Sequence, residues 1–319
     1  MRVLVTGCCG FIGFHLCTAL INNNISVVGI DNLNDFYDKG LKKSRLKKLY
    51  HSLFTFHNSD INQISEIDFK SKKFDLVINL AAQAGVRVKK KQEHFYETTN
   101  VIGFKNVCKF CVENGIDKII YASSSSVYSD KKYEKFNEEK TIIDPKSKYG
   151  KSKYQNEIYA NLVSKKNELS MIGLRFFSVY GPYGRPDMAY YIFTDAIANN
   201  KVINLNNDGL MLRDMTYIDD VIDGVIKSID FLFNKNTKKN HIFNLGNDDP
   251  IQTKKLLSNI AEKLNKIPQI RNKISHNESA FTHSDNSKAK KYLRYNPKTD
   301  LSDGLDKFIS WYKDYYGKQ

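Results

Sequence analysis

A tyrosine and a lysine four residues apart are the side chains of this sequence best suited to acid–base chemistry. They are Tyr149 and Lys153, in the segment Tyr-Gly-Lys-Ser-Lys. On a helix, residues four apart share a face. A free tyrosine has a pKa of about 10 and is a weak base at neutral pH, but a nearby ammonium stabilises the phenolate. The spacing therefore predicts a general acid–base pair, although the bare pattern also occurs by chance on ordinary helices.

Four consecutive serines precede this pair in the chain. Ser123 to Ser126 follow KIIYA, a short apolar run that predicts a buried strand. Hydroxyl groups at the end of a strand can hydrogen-bond to a substrate oxygen and pass on a proton. A polar strand end with no further role is the alternative. The combination of these serines with the Tyr149–Lys153 pair is more specific than either pattern alone.

A glycine-rich turn near the start of the chain predicts a dinucleotide site. Residues 3–13 read VLVTGCCGFIG, so a buried strand runs into Gly7, Gly10 and Gly13 and then into a helix. The first glycine permits the tight turn, the second lets the backbone approach a pyrophosphate, and the third lets helix and strand pack closely. The helix N-terminus offers free N–H groups to the phosphates. Turn glycines with no ligand are the alternative.

An acidic residue ends the second predicted strand, SVVGID. Asp31 can bind both hydroxyls of an adenosine ribose and would repel a 2′-phosphate, so NAD is favoured over NADP. Further candidates follow later strand ends, where ligands collect in sheets of this kind. They are Asp60 and Ile61 beside the adenine, and Leu80, Ala81, Ala82 and Gln83 along the cofactor. Taken singly, each of these could equally serve only in packing.

The order of strands and helices predicts the fold class. Short apolar runs such as RVLVTG, DLVINLAA and MIGLRFF alternate with longer amphipathic segments, which is typical of an α/β protein with a doubly wound, Rossmann-type parallel sheet. We predict an NAD-binding domain over residues 1–177, with 211–246 returning to it. Residues 178–210 and 247–319 would form a smaller C-terminal substrate-binding lobe. The predicted helices of this half are one capped at Thr216, Tyr191–Asn199, Thr253–Asn265 and Asp303–Tyr316.

Composition excludes several classes of protein. Of the 319 residues, 41% are hydrophobic and 26% are charged, as in ordinary globular proteins, and no apolar run is long enough for a membrane span. The net charge of +14 comes from scattered lysines interrupted by acidic residues. This pattern argues against a nucleic-acid groove and for a field that favours a polyanionic substrate. The start of the chain has no secretory signal, so we expect a cytoplasmic protein.

The five cysteines indicate reduced thiols, because their number is odd. Two of them form Cys108-Lys-Phe-Cys111 within an amphipathic segment, with no second pair of ligands. Two thiols on one face of a helix fit this pattern better than zinc or redox chemistry. We therefore expect no metal site.

Together these motifs resemble those of the extended short-chain dehydrogenase/reductase family, and specifically its nucleotide-sugar 4-epimerases. The matching segments, which cover nearly the whole chain, are VTGCCGFIGFHL, IDNLNDFYD, NLAAQAGVR, YASSSSVY, YGKSK, LRFFSVYGPYGRPDMA, RDMTYIDD and NPKTDLSDGLDKFISWYKDYY. Among these, IDNLNDFYD and LRFFSVYGPYGRPDMA are most similar to the UDP-glucuronate 4-epimerases. The resemblance implies conversion of UDP-glucuronate to UDP-galacturonate through a 4-keto sugar, with NAD regenerated in each cycle, and a role in polysaccharide biosynthesis.

The resemblance also implies roles for individual residues. Ser124, Tyr149 and Lys153 would be catalytic, and Lys153 and the positive nicotinamide ring would both stabilise the Tyr149 phenolate. The NAD site would comprise Gly7, Gly10, Phe11, Ile12, Gly13, Asp31, Asn32, Asp60, Ile61, Leu80, Ala81, Ala82, Gln83, Asn100, Tyr149 and Lys153. The substrate would contact Arg87, Ser125, Ser126, Ser178, Arg185 and Arg213. Guanidinium groups suit phosphate and carboxylate because of their bidentate fork, and Arg213 would bind the diphosphate.

The sequence departs from the family pattern at three places. Ser129 replaces a usual glycine, Val88-Lys89 replaces a Tyr-Ser pair, and residues 276–285 replace a more regular loop near the uridine. None of these changes removes a catalytic group. They put the substrate contacts near Val88 and the nucleotide contacts near the loop in doubt.

Two other functions remain open. A UDP-glucose/galactose 4-epimerase shares the catalytic groups but has no use for a carboxylate site. A catalytically silent NAD-binding scaffold or regulator is the alternative from another class, and the intact catalytic residues argue against it. Related decarboxylases and 4,6-dehydratases carry an extra acid where this chain has Ser125 and Ser126. Since relatives pair through a helix bundle, the resemblance also implies a homodimer.

Overall fold

A computed structural model describes residues 1–86, 88, 90–129, 134–235, 237–275 and 280–317. The strands are β1 (Arg2–Thr6), β2 (Ser26–Asp31), β3 (Phe54–Asn58), β4 (Leu76–Asn79), β5 (Lys118–Ser124), β6 (Ser170–Phe176), β7 (Ser178–Tyr180), β8 (Val202–Asn206), β9 (Leu212–Tyr217), β10 (Asn240–Leu245), β11 (Pro250–Gln252) and β12 (Gln269–Lys273). The α-helices are α1 (Phe11–Asn22), α2 (Lys39–Lys48), α3 (Phe104–Glu113), α4 (Lys148–Asn167), α5 (Ala189–Ala198), α6 (Ile218–Lys235), α7 (Thr253–Leu264), α8 (Ser287–Leu293) and α9 (Leu301–Tyr316). A π-helical segment, Tyr96–Gly103, leads directly into α3.

The large sheet contains seven strands in the order β10-β6-β5-β4-β1-β2-β3. Every adjacent pair in it is parallel. Its central strands are buried almost throughout, as their near-continuous apolar sequences predict. The Rossmann-type parallel sheet predicted from the sequence is therefore confirmed. Because the strand order reverses between β1 and β4, ligands are expected at the carboxyl ends of these two strands.

Two small sheets lie outside the large one. β7 and β11 flank β9 in a three-stranded sheet, and β8 pairs with β12. β10 returns to the edge of the large sheet beside β6. The second half of the chain thus contributes both to the large sheet and to the two smaller sheets. The predicted boundaries between the two lobes stay a prediction.

One predicted helix begins later than expected. The segment that starts with Met215-Thr216-Tyr217 was expected to be helical with its cap at Thr216, but these residues complete β9 and pair with β7. The buried Thr216 hydroxyl lies 3.5 Å from a carboxylate oxygen of Asp214. Helical periodicity begins only at Ile218, where α6 starts. The other three helices begin and end within two residues of their predicted bounds.

All five cysteines are free and buried. Cys108 and Cys111 lie on α3 and pack into the core between that helix and the sheet. Burial raises the pKa of both thiols, so they are neutral near pH 7. This arrangement agrees with two packed thiols rather than a reactive pair. Among the described helices, none is both long and apolar enough to cross a membrane.

Candidate active site

A cavity of about 1330 Å³ lies at the carboxyl ends of β1, β4 and β5. Most residues that the sequence predicts as functional line it: Gly7, Gly10, Phe11, Ile12, Gly13, Asp31, Asn32, Asp60, Ile61, Leu80, Ala81, Ala82, Gln83, Ser124, Ser125, Ser126, Tyr149, Lys153, Ser178, Arg185 and Arg213. Asn100 is described but does not line the cavity. Arg87, a predicted substrate contact, lies outside the described residues. One cavity therefore brings the three predicted groups of residues together.

The glycine turn is set by two close backbone approaches. Gly7 has a φ of +72°, and a Cβ there would lie 2.7 Å from the backbone nitrogen of Ala81. A Cβ on Gly13 would lie 2.1 Å from the carbonyl oxygen of Gly7. Glycine is therefore required at both positions. Since no side chain caps the first turn of α1, its N–H groups can meet a pyrophosphate at the cavity wall.

Backbone N–H groups fix the carboxylate of Asp31 at the end of β2. It accepts hydrogen bonds from the N–H groups of Cys9 at 3.0 Å and Leu33 at 2.8 Å. Because a carboxylate has about four acceptor sites, it can still receive two ribose hydroxyls. Asn32 donates to a carboxylate oxygen of Asp60 at 2.9 Å, which links the ends of β2 and β3. The arrangement fits the adenosine half of a dinucleotide.

Lys42 is a cavity residue that the sequence analysis missed. Its side chain on α2 is 5% exposed, and its ammonium donates to the side-chain oxygen of Asn34 at 2.6 Å. Burial lowers the pKa of Lys42, while the nearby Asp31 carboxylate raises it. Lys42 lies in LKKSRLKK, one of the lysine-rich segments that account for the net charge of +14. The signal that distinguishes Lys42 is its place beside Leu41, on the face of α2 that packs inward.

Arg45 is a second buried cation that the sequence analysis missed. Its guanidinium, which is 0% exposed, donates to the carbonyl of Cys9 at 2.9 Å and to that of Tyr183 at 2.6 Å. It also donates to the carbonyl of Gly184 and to the hydroxyl of Tyr37. One side chain therefore joins the glycine turn to the loop that carries Arg185.

Asn100 supports the loop after β4 from behind. Its side-chain oxygen accepts the N–H of Gln83 at 2.7 Å, and its amide donates to the Gln83 carbonyl at 3.1 Å. The same amide donates to the hydroxyl of Ser152 at 3.0 Å. Asn100, with 1% of its surface exposed, therefore holds the loop after β4 in position and connects it to α4.

Helix α4 places Tyr149 and Lys153 on successive turns. Its N-cap, Ser147, accepts the N–H of Gly150 at 2.9 Å, which fixes the start of the helix. The ammonium of Lys153 donates to the carbonyl of Ala122 at 2.9 Å and lies 5.9 Å from the ring centre of Tyr149. The predicted pair therefore shares a face of the helix, beside the end of β5.

Ser124 completes the predicted catalytic group. It is the last residue of β5, and its hydroxyl lies near enough to Tyr149 to lower the pKa of that tyrosine. Its hydroxyl oxygen also accepts the N–H of Ser126 at 3.1 Å. The serine is therefore fixed by the turn that follows the strand, with its hydroxyl on the side of Tyr149.

The protein's own groups leave Tyr149 protonated at neutral pH. Burial raises its pKa, and the Arg185 guanidinium and the Ser124 hydroxyl lower it only in part. Burial also lowers the pKa of Lys153 to about 8, so this lysine is still mostly charged at pH 7. The sequence predicts a lowered pKa for Tyr149, and the protein's own groups do not produce it. A bound nicotinamide ring, whose positive charge also stabilises a phenolate, would supply the remaining effect.

Charged and hydroxyl side chains line the rest of the cavity. Ser125 and Ser126 form a tight turn after β5, and Ser178 starts β7. The Arg185 guanidinium binds the Asp187 carboxylate through two hydrogen bonds, at 3.0 and 2.5 Å. These groups offer hydroxyls and a partly neutralised guanidinium to an anionic substrate.

Arg213 borders the cavity from β9, and its side chain donates to the carbonyl of Leu212 at 2.9 Å. Among the departures from the family pattern, Val88 and Ser129 also border the cavity, whereas Lys89 and residues 276–279 lie outside the described part of the chain. In the rest of that loop, Ser284 donates to the buried carboxylate of Asp214 at 2.7 Å. The loop is thereby attached next to Arg213.

Comparison with known proteins gives consistent matches over the whole chain. Residues 3–246 match the NAD dependent epimerase/dehydratase family. UDP-glucuronate 4-epimerase 2 of Arabidopsis thaliana is 41% identical over 334 residues, which cover 99% of this chain and 76% of the relative. The crystal structure of UDP-glucuronic acid 4-epimerase from Bacillus cereus, in complex with UDP-glucuronic acid and NAD, is 32% identical with a TM-score of 0.90 and covers 99% of this chain and 100% of its own. UDP-glucose 4-epimerase from Thermotoga maritima is 25% identical with a TM-score of 0.87, at 99% and 100% coverage.

Replacing Asn100 with alanine should destabilise the protein even when it carries no nucleotide. The change leaves the buried N–H and carbonyl of Gln83 without their partners, and an unsatisfied buried polar group costs about 1–3 kcal/mol. Urea unfolding of nucleotide-free wild type and Asn100→Ala measures this difference. Thr99→Ala, a change at the neighbouring cavity residue, is the control and should alter the free energy of unfolding by about 0.5 kcal/mol or less. Equal stability of Asn100→Ala and wild type would instead favour a direct contact with the cofactor.

Proposed function

Because this chain belongs to the NAD dependent epimerase/dehydratase family, as its motifs predicted, we propose that it is an NAD-dependent 4-epimerase of UDP-sugars. The observation that carries this proposal is the meeting of Ser124, Tyr149 and Lys153 in the cavity that the glycine turn also lines. The proposed reaction converts UDP-glucuronate to UDP-galacturonate. Its support is the greater similarity of the chain to UDP-glucuronate 4-epimerases than to a UDP-glucose 4-epimerase.

The cavity residues fit NAD along its length. The glycine turn and the first turn of α1 suit the pyrophosphate, and the fixed carboxylate of Asp31 suits the adenosine ribose and would repel a 2′-phosphate. Lys153 would hold the nicotinamide ribose. We propose that residues 1–177, with 211–246, bind the cofactor, and that 178–210 and 247–319 cover the sugar nucleotide. The cytoplasmic location that we also propose accords with five free, buried thiols.

Tyr149 is the proposed base. As a phenolate it takes the proton from the sugar 4-hydroxyl, and Ser124 hydrogen-bonds to the same oxygen. Lys153, whose pKa of about 8 leaves it charged at neutral pH, stabilises the phenolate electrostatically. Bound NAD supplies the redox chemistry, in which a hydride leaves carbon 4 and later returns to its opposite face. When the hydride returns, Tyr149 gives its proton back to the oxygen, so atoms and charges balance over the cycle.

Glucuronate makes an additional demand on the site. Its 4-keto form is a β-keto acid and can lose carbon dioxide, so the carboxylate has to be held away from the geometry that favours this loss. The hydroxyls of Ser125, Ser126 and Ser178 border the cavity and are the proposed carboxylate contacts, with Arg185 nearby. The residues that follow Ser124 are serines and not the acid that related decarboxylases and 4,6-dehydratases carry there. We therefore place this chain among the epimerases.

Tyr149→Phe should lose about 10²–10⁴-fold in turnover, the usual contribution of a general base. The fold and the bound nucleotide should be largely unaffected, because phenylalanine keeps the ring. NMR of the products measures turnover. Denaturation should release NAD from both proteins, and chromatography identifies the released nucleotide. Near-wild-type turnover by Tyr149→Phe would remove the tyrosine from its proposed role, and release of NADP would contradict the reading of Asp31.

Ser178→Ala should weaken turnover of UDP-glucuronate by about 10–150-fold, since a hydrogen bond to a charged group contributes about 1.5–3 kcal/mol and 1.4 kcal/mol is tenfold. It should also release some decarboxylated pentose product, because the keto acid is held less firmly. NMR of the products from UDP-glucuronate and UDP-glucose, for wild type and variant, measures both effects. Thr99→Ala is the control for a cavity residue outside the carboxylate site.

Three outcomes point elsewhere. If wild-type protein turns over UDP-glucose as well as UDP-glucuronate, the carboxylate site is abandoned in favour of a UDP-glucose/galactose 4-epimerase. If protein that retains NAD turns over neither sugar, the silent scaffold becomes the better account. A loss of stability in Ser178→Ala with unchanged substrate preference would mean that the serine serves only in packing.

We also propose that the chain forms a homodimer through α3 and α4, as the resemblance to epimerases implies. Exposed apolar side chains occur on this face, including Ile158 at 46% and Leu162 at 61% exposure. These two are four residues apart and therefore share a face of α4. Val112 on α3 and Ile102 just before that helix are also exposed. A second copy, packed through the same surface, would cover them.

Leu162→Glu combined with Ile158→Glu should convert the dimer to a monomer, because it places charges in an apolar interface. Light scattering after size-exclusion chromatography measures the mass. The conservative variant Leu162→Met keeps the apolar surface and should remain dimeric. A monomeric wild type at micromolar concentration would contradict the proposal.

A further inference from the structure

A buried carboxylate beside the catalytic pair is not used by the reaction described above. Glu157 lies on α4 and is 6% exposed. Both of its oxygens bind the guanidinium of Arg175 on β6, at 2.9 and 2.7 Å, and one of them also accepts the hydroxyl of Ser123 on β5 at 2.5 Å. Arg175 is itself 3% exposed. The carboxylate therefore connects three elements inside the protein.

The position of Glu157 on α4 relates it to the catalytic residues. Tyr149, Lys153 and Glu157 follow one another at intervals of four residues and so lie on one face over successive turns. The anchors on β5 are adjacent as well, since Lys153 binds the carbonyl of Ala122 and Glu157 binds Ser123. The carboxylate thus lies one turn from the catalytic ammonium, and each of the two has a separate partner.

An oppositely charged lysine and glutamate four residues apart on a helix ordinarily attract each other, and the attraction is stronger in a buried setting than in water. An ion pair between Lys153 and Glu157 would cancel the positive charge beside Tyr149. It would also draw the ammonium away from the carbonyl of Ala122. The two-pronged bond from Arg175 prevents this, because it engages both oxygens of Glu157.

We propose that Arg175 is a positioning residue that holds Glu157 away from Lys153, and thereby keeps the charge of Lys153 available to Tyr149. The inference deepens the proposed function, on which it rests. It assigns to a residue with no substrate contact the task of preserving the electrostatics of the acid–base pair. The protein can fold without this charge arrangement, so the role of Arg175 can be tested separately from its contribution to stability.

Whether a Glu157 freed from Arg175 would pair with Lys153 depends on the other charged and titratable groups around the catalytic pair and around Arg175. Those described fall into two groups. Tyr96 on the π-helical segment and Arg185 after β7 lie beside Tyr149, with Glu93 beside Tyr96 and Asp187 beside Arg185. Tyr121 on β5 lies beside Glu157, with Cys108 and the neutral Asn240 next to it, and Tyr128 and Glu138 lie beside Arg175. Burial raises the pKa of Tyr96 to about 12 and raises those of Cys108, Tyr121 and Tyr128, so all four are neutral near pH 8. Asp187 is already paired with Arg185. Glu93 is paired with Lys148, and Glu138, whose pKa is raised by burial, accepts the N–H of Asn244 at 2.7 Å. Glu157 is therefore the described carboxylate that loses its ion-pair partner when Arg175 is removed.

Arg175→Met should raise the pKa of Tyr149 in the NAD-loaded protein by about one unit, which corresponds to about a tenfold loss of kcat at pH 7. The direction follows because pairing of Lys153 with Glu157 removes stabilisation of the phenolate, so the active base forms only at higher pH. KM should change by about twofold or less. Ultraviolet difference titration, with Tyr149→Phe as the reference, follows the ionisation of Tyr149 without any substrate.

The double variant Arg175→Met with Glu157→Gln is the decisive control. It removes the released carboxylate, so the titration of Tyr149 and kcat at pH 7 should return to within about threefold of wild type. If Arg175→Met fails to fold, Arg175→Lys replaces it, since a lysine cannot engage both oxygens and should shift the titration in the same direction. The proposal is overturned if the folded single variant titrates like wild type, or if removing Glu157 gives no rescue. Because the titration needs no sugar, a wild type that titrates as expected but turns over no UDP-sugar would refute the proposed function and leave this inference standing.

Discussion

The site depends on a backbone contact that leaves no room for a side chain. A Cβ at Gly13 would lie 2.1 Å from the Gly7 carbonyl oxygen, and one at Gly7 would lie 2.7 Å from the backbone of Ala81. These contacts press the start of α1 against the ends of β1 and β4. The hydroxyl of Thr6 supports the same junction, since it donates to the side chain of Asn79 at 2.6 Å and accepts the N–H of Ala81 at 3.2 Å. Because the sheet is parallel, every later strand then delivers its end to the same edge, and the cavity forms there.

The way in which each buried cation is satisfied determines what it can do. Arg45 and Lys153 donate chiefly to backbone carbonyls, which are dipoles and carry no net charge. Arg175 instead binds a carboxylate, so its charge is cancelled within the protein and serves to hold elements together. A lysine whose partner is a carbonyl keeps its positive charge, and this charge can act on the neighbouring phenol. Burial makes the arrangement costly to form but strong once formed, because the low dielectric amplifies each remaining interaction.

The sequence predicted the sheet and the cavity lining well because these follow from local patterns. Alternating apolar and amphipathic segments specify a parallel sheet, and the glycine turn and the strand ends then specify where its ligands lie. The prediction failed at Thr216. This residue belongs to a strand because it pairs with Val179 on β7, which lies much earlier in the sequence. Lys42 and Arg45 were missed for a related reason. Inside a lysine-rich helix, the residues that bury a particular cation come from other elements. The composition of the helix therefore does not show which of its cations is buried. The role of Asn100 in supporting a loop likewise depends on the path of the backbone at Gln83.

Long-range charge cannot account for selection between the two sugars that the site could accept. The net charge of +14 attracts any UDP-sugar, because each carries the same diphosphate, and salt screens this field beyond about 8–10 Å. UDP-glucuronate differs from UDP-glucose by one carboxylate at the reacting end, so discrimination has to come from groups in direct contact with it. Hydroxyls suit this task better than a free cation would. They can hold a carboxylate by hydrogen bonds without adding positive charge beside Tyr149, where Arg185 is already partly neutralised by Asp187. Selectivity and acid–base catalysis can therefore operate in one cavity without one disturbing the other.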